Sequence, residues 1–431
     1  MAEKKQRWAL EGTRVIDLTW LLAGPGGTRI LATLGAEVIR VECRDARAVD
    51  FLRYTPPFPR KDPGAPVQDL GMLAGTPANG FNRSGNFNNI NPGKFGITLN
   101  LNHPKGRDLL RRLVAKAHVL CENFSPERMD QWRVGYDALR RVNPALIYVQ
   151  TTGMGKAGVY RDYAGYGPTA QALSGLTAMS GLPEPRQPAG WGYSYLDHSP
   201  GYYSSMMIIA ALMRQRRTGQ GCYIDLSQTE IGILLSGAAT LKYQLDGQPT
   251  GRHGNRMPFA PWAPHGAFPC RGDDEWIAIA VQDDPQWAAL AAEIGSWALD
   301  DRFAQASGRK ANEEEIERRL AGWTAQHDSY DLTARLQARG VPAGPAQKSA
   351  DRFTRDPQLK ARDYFVTLPH SELGEWPFDG FPARMSASPA CVGGRANRGA
   401  PILGEDNERI YRDILGIGAS ELRALMEEGA V

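Results

Sequence analysis

The chain has 431 residues, of which 42% are hydrophobic and 23% are charged, as in an ordinary globular protein and unlike a disordered or fibrous one. Because a usual domain has about 150 residues, this length predicts one large domain or two unequal ones. The 50 basic and 47 acidic side chains leave a formal charge of +3, which is too small to mark a nucleic-acid-binding surface. Any anionic ligand must therefore be bound by local groups.

The cysteines and the N-terminal residues favour a cytoplasmic location. The cysteines are odd in number, widely spaced and without a CxxC pair, which disfavours a disulfide framework and a zinc site. The first residues, "MAEKKQRWALEG", lack the apolar core of a signal peptide, and the apolar run "MMIIAALM" is far shorter than the ~20 residues that span a bilayer. We therefore expect a soluble protein of the cytoplasm with no membrane partner.

The first part of the chain alternates strand and helix patterns. Apolar stretches predict a strand over Arg14–Leu18, a helix over roughly Gly27–Leu34 after a Gly/Pro turn, and a strand over Glu37–Val41. The alternation continues through "GITLNL", "PKGRDLLRRLVAKA", "VLCENF", "YDALRRV" and "LIYVQTTG". It predicts an α/β domain whose parallel sheet is covered by helices.

The second half of the chain predicts a smaller α/β unit. A helix near Gln228–Leu241 precedes a Gly/Pro-rich passage at 246–270 that has the composition of a linker. The stretch 271–365 then contains the strand "EWIAIAV" and helices in "PQWAALAAEIG", "NEEEIERRLAGWTA" and "YDLTARLQARG". Residues 1–245 are thus the first part of a large domain, 271–365 a small domain, and 366–431 a further linker with a last helical segment.

The turn "LLAGPGGTR" raises the possibility of a dinucleotide site, because Gly24, Gly26 and Gly27 lie between a strand and a helix. The fingerprint needs a third glycine three residues after Gly26, and Arg29 occupies that position. The simpler interpretation is a tight turn that lets some ligand approach the backbone.

Two interpretations stay open for "CENFSPERM". Ser125 and Pro126 form a sound helix start, which explains the segment as structure alone. Alternatively, Asn123 and the backbone amides at this strand end hold an adenine or a phosphate, since open α/β sheets bind ligands there. No histidine has a second ligand at metal-binding spacing, so His198 and His265 are expected to be hydrogen-bonding loop residues, and no metal is expected.

Asp197, in "YLDHSPGYYSS", also has two interpretations. An aspartate just before an apolar helix can cap that helix and favour its positive end. Its surroundings are unusually aromatic for a surface cap, and a partly buried carboxylate is a candidate nucleophile. The aromatic neighbours are Trp191, Tyr193, Tyr195, Tyr202 and Tyr203.

Several segments in one order resemble the class III coenzyme A transferases, the group of formyl-CoA transferase and carnitine CoA-transferase, also known as the CaiB/BaiF type. They are "GTRVIDLTWLLAGPGGTRILATLGAEVIRVE", "NPGKFGITLNL", "LCENFSPERM", "NPALIYVQTTGMGKAGVYRDYAGYGPTAQALSG", "YLDHSPGYYSSMMIIAALMRQRRTGQGCYIDLSQTE" and "PILGEDN". They extend over nearly the whole chain.

The resemblance implies a large Rossmann-like domain, a small domain to which the chain adds a C-terminal return to the large one, and two chains interlocked as rings. It implies that Asp197 is the nucleophile and that CoA is the substrate carrier. The implied CoA contacts are Leu21, Leu22, Ala23, Leu99, Asn123 and Phe124. The acid substrate is expected near Tyr166, Tyr195, Trp262 and His265. A group of aromatic residues in the two segments expected to flank Asp197 either lines a pocket for a bulky acid or forms a core at the domain interface; its members are Trp191, Tyr193, Tyr195, Phe259, Trp262 and Phe268.

The chain departs from the family pattern at several positions. Cys43, with Arg44 beside it, replaces an arginine often found after the second strand, and the basic residues often seen after the "ENF" motif are absent near Gln131. The CoA phosphates are therefore assigned to Arg44 or Lys94. The segment "NRMPFAPWAPHGAF" replaces the glycine loop of formyl-CoA transferase, so formate and oxalate cannot be carried over as substrates.

The resulting prediction is transfer of CoA between carboxylic acids, one of them bulky or substituted, through an aspartyl-CoA thioester and without a metal. A first alternative is a partner subunit of a heteromeric transferase that does not itself react. A second is a racemase of 2-methylacyl-CoA, which needs a His–Asp pair where this chain has Tyr166 and Gly167. Since the pKa of an ordinary tyrosine is ~10, that pair supplies no base at neutral pH.

Overall fold

The computed structural model describes residues 6–45, 48–59, 81–190 and 194–431. The chain divides into two compact units. Unit 1 consists of Met1–Leu176, Gly192–Gly237 and Leu359–Val431, and unit 2 consists of Thr177–Trp191 and Ala238–Gln358. The division into four segments expected from the sequence stays a prediction.

Unit 1 contains a six-stranded sheet in which every pairing is parallel. Its strands are β1 (Arg14–Asp17), β2 (Glu37–Glu42), β3 (Phe95–Thr98), β4 (Val119–Glu122), β5 (Ile147–Thr152) and β6 (Cys222–Ser227). They lie in the order β3-β2-β1-β4-β5-β6, the doubly wound order of dinucleotide-binding folds. The predicted mixed α/β fold with a parallel sheet is confirmed.

Helices cover both faces of this sheet, as a parallel sheet requires. The helices of unit 1 before the C-terminal segment are α1 (Ala23–Thr33), α2 (Gly85–Ile90), α3 (Pro104–Val114), α4 (Arg128–Gln131), α5 (Tyr136–Val142), α6 (Gly167–Leu173), α8 (Tyr195–Thr218) and α9 (Gln228–Leu235). Helices α7 (Leu176–Met179) and α10 (Gly237–Asp246) belong, apart from their first residues, to unit 2. Neighbouring strand residues face opposite layers, so Ile16 packs with Leu110 on one side and Val15 with Leu31 on the other. In the described ranges no helix combines the length and apolar character that a bilayer span needs.

Unit 2 is built on a three-stranded antiparallel sheet with its own apolar core. The strands are β7 (His265–Pro269), β8 (Trp276–Ala280) and β9 (Ala343–Pro345), and the helices that follow β8 in this unit are α11 (Asp284–Ile294), α12 (Ala306–Ala311), α13 (Glu313–Thr324), α14 (Ser329–Ala338) and α15 (Ser349–Thr354). The next helix, α16 (Pro357–Ala361), contains the point in the chain at which unit 2 ends and unit 1 resumes. Strand β7 lies inside the passage 246–270 that the sequence predicts to be a linker. Its pairing with β8 gives this Pro/Gly-rich segment a regular structure.

The C-terminal segment belongs to unit 1. It contains the hairpin β10 (Val366–His370) and β11 (Gly374–Phe378), followed by α17 (Asn407–Leu415) and α18 (Ala419–Glu427). Side chains of the "GEDN" motif bind the free edge of β3: Asp406 accepts a hydrogen bond from the Gly96 N–H at 2.8 Å and Asn407 from the Thr98 N–H at 2.8 Å. These bonds satisfy backbone groups that an edge strand would otherwise expose.

Candidate active site

A cleft opens at the carboxyl ends of β1, β4 and β5, between the strands where the sheet order reverses. This is the place where open α/β sheets bind ligands. The cleft has a volume of about 420 Å³. Its lining includes the predicted site residues Leu21, Ala23, Asn123, Phe124, Tyr166 and Asp197, together with Gln228, which the sequence did not single out.

Asp197 lies in the first turn of α8, which begins two residues earlier at Tyr195. The prediction that it caps this helix is therefore wrong, because Ser194 holds the cap position. Instead, Asp197 Oδ1 accepts a hydrogen bond at 2.9 Å from the N–H of Gly167, the first residue of α6. The carboxylate thus lies at the N-terminal ends of two helices, where backbone dipoles favour negative charge.

Gly167 is the residue that lets Asp197 approach α6. A Cβ at this position would lie 2.6 Å from Asp197 Cγ and 2.1 Å from Ser194 Oγ, both far inside van der Waals contact. No larger side chain fits while the hydrogen bond to Oδ1 is kept.

Gln228, the first residue of α9, is a buried polar side chain that the sequence reasoning missed. Its Nε2 donates to the Leu196 carbonyl at 2.9 Å and lies 3.3 Å from Asp197 Oδ1. The motif "DLSQTE" was part of the family resemblance, but nothing local in it points to a partner 31 residues away.

Asn123 positions the loop between β1 and α1. Its Oδ1 accepts from the Trp20 N–H at 2.7 Å, and its Nδ2 donates to the Trp20 carbonyl at 2.8 Å. The side-chain amide is therefore already paired, and contact with CoA at this residue stays a prediction for its exposed edge. Phe124 packs edge-on against Trp20 and Trp132, with ring centroids 5.8 and 5.5 Å away, and also lines the cleft.

A buried cluster of charged side chains binds the same loop between β1 and α1. Its members are Asp17, Arg40, Glu42, Asp50, Arg53 and Lys94. Asp50 accepts the Leu21 N–H at 3.1 Å, and Arg40 Nη1 donates to the Thr19 carbonyl at 2.9 Å. Leu21 has φ +61°, an uncommon conformation for a residue other than glycine. The ion cluster and the loop are thus one rigid structure at the mouth of the cleft.

The two cations assigned to the CoA phosphates have different environments. Lys94 is fully buried, and its Nζ lies within 3.1 Å of Asp17, Pro25, Thr28 and Asn91 oxygens. Burial lowers its pKa to about 8, although the Asp17 carboxylate opposes this. In this arrangement Lys94 has no proton to offer a phosphate.

Arg44 is exposed just beyond the carboxyl end of β2, with Nε 3.4 Å from Thr98 Oγ1, and remains able to bind a phosphate. The other predicted contacts lie nearby in sequence or on neighbouring strands. Leu22 is the residue that precedes α1, and Leu99 is buried and donates its N–H to the Glu42 carbonyl at 2.7 Å.

Glu122, the last residue of β4, is a buried carboxyl beneath the cleft. Burial raises its pKa to about 8, even though it accepts hydrogen bonds from the Phe124 N–H at 2.8 Å and the Tyr148 hydroxyl at 3.2 Å. The sequence reasoning did not single it out, because neighbouring residues alone do not reveal burial.

The remaining predicted substrate residues are distributed over both units. Tyr195 is 39% exposed on α8 in unit 1. Trp262 and His265 lie in unit 2 with their rings 6.0 Å apart, and His265 lines a separate cleft of about 440 Å³ there. Of the aromatic residues expected in the pocket, Phe268 belongs to the unit 2 core and Phe259 is 77% exposed. Trp191 and Tyr193 lie outside the described residues.

Within the ranges that the structure describes, no three His, Cys, Asp or Glu side chains are grouped as a metal ion would need. The unit 1 cleft contains a carboxylate, Asp197, held by two hydrogen-bond donors. Such a group is suited to covalent catalysis of acyl transfer.

The fold and this cleft define an α/β protein with a hydrogen-bonded carboxylate at the ligand-binding edge of its sheet. The chain belongs to CoA-transferase family III, whose family model matches residues 10–407. Its relatives act on acyl-CoA and acid substrates, and the chain is a CoA-transferase that moves CoA between acids. The resemblance inferred from the sequence motifs is confirmed.

Individual relatives cover nearly the whole chain. The succinyl-CoA–D-citramalate CoA-transferase of Chloroflexus aurantiacus is 30% identical, with 100% of both chains covered. The β subunit of succinyl-CoA–L-malate CoA-transferase of the same organism is 29% identical, with 98% of both chains covered. The crystal structure of a CAIB/BAIF family protein from Brucella suis matches with a TM-score of 0.82 and 32% identity over 95% of this chain and 100% of that one.

Proposed function

We propose that this chain transfers CoA by covalent catalysis at Asp197. One Asp197 oxygen attacks the thioester carbon of the donor acyl-CoA and expels CoA thiolate, which leaves a mixed anhydride. The thiolate then attacks the aspartyl carbon, releases the donor acid and forms an aspartyl-CoA thioester. The acceptor carboxylate reverses both steps, so that no net proton, metal or redox partner is consumed.

The observation that carries this proposal is the asymmetric environment of the carboxylate. Oδ1 has the Gly167 N–H and Gln228 Nε2 as donors, whereas Oδ2 has no hydrogen-bond partner within the described part of the chain. The donors keep the group oriented, and Oδ2 is left as the attacking oxygen. The CoA-binding residues proposed for this cleft are Leu21, Leu22, Ala23, Leu99, Asn123 and Phe124, with Arg44 for a phosphate.

The test is Asp197→Ala, assayed for CoA exchange between acyl-CoA donors and acids. We expect loss of transfer with an unchanged unfolding transition. Asp137→Ala is the matched control, since Asp137 also lies in the first turn of a helix but is 84% exposed and does not line the cleft. Hydroxylamine added with the donor should leave a hydroxamate on the peptide that carries Asp197. Full activity of a folded Asp197→Ala protein would exclude this nucleophile.

For the acid substrate we propose a bulky or substituted acid of the succinate type. Relatives named for D-citramalate and L-malate, both with succinyl-CoA, support this class, as does the aromatic side chain of Tyr166 in the lining of the cleft. We expect kcat/KM for a substituted succinate at least ~10-fold above that for formate or oxalate, a difference of ~1.4 kcal/mol. Equal turnover of formate would contradict it.

We also propose a homodimer whose chains interlock. Large apolar side chains support a protein partner, since Met206 and Met213 on α8 and Leu234 on α9 are 55%, 53% and 64% exposed. A monomer by light scattering at micromolar concentration would exclude it. The relative that is a β subunit favours a second candidate, a heteromer. Transfer activity of the purified chain alone would separate an active homodimer from a partner subunit that does not itself react.

A further inference from the structure

Pro200 leaves one carbonyl of α8 without its helical partner. In a helix the carbonyl of Leu196 would accept from the N–H of residue 200, and proline has none. Leu196 is fully buried and lies in the first turn of α8, as does Asp197. A buried backbone acceptor of this kind needs a donor from elsewhere.

Gln228 supplies that donor. Its Nε2 lies 2.9 Å from the Leu196 carbonyl and 3.3 Å from Asp197 Oδ1. Because both neighbours accept hydrogen bonds, only the amino group of the side-chain amide can face them. The bond to Leu196 therefore fixes the amide so that its second N–H points at Asp197.

We propose that Gln228 is a further catalytic residue, the second donor of an oxyanion hole for the aspartyl carbonyl. This inference rests on Asp197 being the nucleophile. When CoA thiolate or an acceptor carboxylate attacks the aspartyl carbon, the carbonyl electron pair moves onto Oδ1. The negative charge then develops on the oxygen that the Gly167 N–H and Gln228 Nε2 already face.

Gln228 assists only those steps in which the aspartyl carbon is attacked. Attack of Asp197 on the donor thioester places its oxyanion on the substrate oxygen, which these donors do not face. Resolution of the mixed anhydride by thiolate, and attack of the acceptor on the aspartyl-CoA thioester, both place it on Oδ1. Loss of Gln228 therefore slows the steps at the aspartyl carbon and leaves the anhydride exposed to water for longer. Water that attacks the anhydride yields the donor acid and Asp197, and CoA leaves as the thiol with the water proton.

The experiment compares Gln228→Leu with Gln215→Leu in the full-length protein. Gln215 is a matched control: it is a buried glutamine near the other end of α8 whose amide donates to the Ala145 and His118 carbonyls. With succinyl-CoA as donor, we expect Gln228→Leu to lower kcat for transfer ~10- to 100-fold, because removal of one oxyanion donor usually costs at least that much. The KM of the acid should stay within about 3-fold of wild type, and the ratio of hydrolysis to transfer should rise.

Gln228→Glu keeps the shape of the side chain and serves if the leucine variant does not fold. At neutral pH the new carboxylate contacts the Asp197 carboxylate, offers no donor and should abolish transfer. At lower pH its protonated form donates again, so transfer relative to wild type should recover as the pH falls.

Wild-type transfer by Gln228→Leu, or a fall of hydrolysis and transfer in equal proportion, would overturn the proposal. So would a Gln228→Glu protein whose loss of activity does not depend on pH. Failure of the nucleophile assignment has a different signature, since Asp197→Ala would then retain transfer.

Discussion

Gly27 of α1 and Gly201 of α8 touch where the two helices cross. A Cβ on Gly201 would lie 2.9 Å from the Gly27 nitrogen, and a Cβ on Gly27 would lie 2.3 Å from Ser204 Oγ. This crossing brings the N-terminal end of α1, with the loop at Leu21, next to the first turn of α8, with Asp197. Of the glycines that resemble an incomplete dinucleotide fingerprint, Gly27 therefore serves helix packing, whereas Gly24 makes room for the Thr19 side chain.

Gly201→Ala should separate these helices, because the obstructing atoms belong to backbone and cannot rotate away. We expect a loss of ~1–3 kcal/mol in the free energy of unfolding, as for other overpacked sites, and a lower kcat. Urea denaturation and the transfer assay measure both. Gly322→Ala, an exposed position inside α13 with no atom within 4 Å of the new Cβ, should instead stabilise the chain by ~0.5–1 kcal/mol. Equal free energies of unfolding for Gly201→Ala and Gly322→Ala would contradict the close contact between α1 and α8 at Gly201.

The sequence predicted those features that depend on neighbouring residues. Strands β1 and β2 were located to within one residue, because each is a short segment rich in the β-branched residues Val and Ile. Helix α1 starts four residues earlier than predicted, since Pro25 fits in a first turn, where its missing N–H has no helical acceptor. Gln228 could not be predicted, because its role depends on how α9 packs against α8.

Charge in a sequence also does not indicate burial, as Lys94 and Arg44 demonstrate. Both were candidates for a phosphate contact, yet one is fully buried among oxygens and the other is exposed. The carboxylates Asp17 and Asp50 that surround Lys94 lie far from it in sequence.

Lys94→Met should destabilise the chain, because it leaves Asp17 buried without its nearest cation. Removing one partner of a buried ion pair typically costs ~3–5 kcal/mol. The measurement is the free energy of unfolding in urea. Arg44→Ala is the control for a direct role in CoA binding: it should leave stability within ~0.5 kcal/mol and raise the KM of the CoA ester. Unchanged stability of Lys94→Met, with a raised KM, would instead make Lys94 a CoA contact.

Glu122 should give the stability of the chain a distinct pH dependence. Because burial raises the folded-state pKa of Glu122 to about 8 from its ordinary value of 4.5, the folded state keeps a proton that the unfolded state loses in this window. Stability should therefore fall as the pH rises from about 4.5 to 8, by up to ~1.4 kcal/mol per pH unit. Glu122→Gln lacks this proton, so its stability relative to wild type should rise across the window and level off above pH 8.

Urea titrations at several pH values measure the difference, and Glu427→Gln, at an exposed position, should run parallel to wild type. A constant difference for Glu122→Gln would mean that Glu122 is ionised throughout.

Pro200→Ala tests why Gln228 is held where it is. The new alanine supplies the N–H that the Leu196 carbonyl lacks, so α8 gains a hydrogen bond and the chain should become more stable by ~1 kcal/mol. Gln228 Nε2 then competes with the new N–H for the Leu196 carbonyl, so the Gln228 amide is less firmly directed at Asp197 Oδ1. We expect transfer to slow severalfold while stability rises, the exchange of activity for stability that strained active sites show.

Thermal denaturation and kcat measure the two effects, with Pro104→Ala at the start of α3 as a control in which neither should change much. A Pro200→Ala protein that is more stable and transfers CoA at the wild-type rate would mean that Gln228 does not need the Leu196 carbonyl to be positioned.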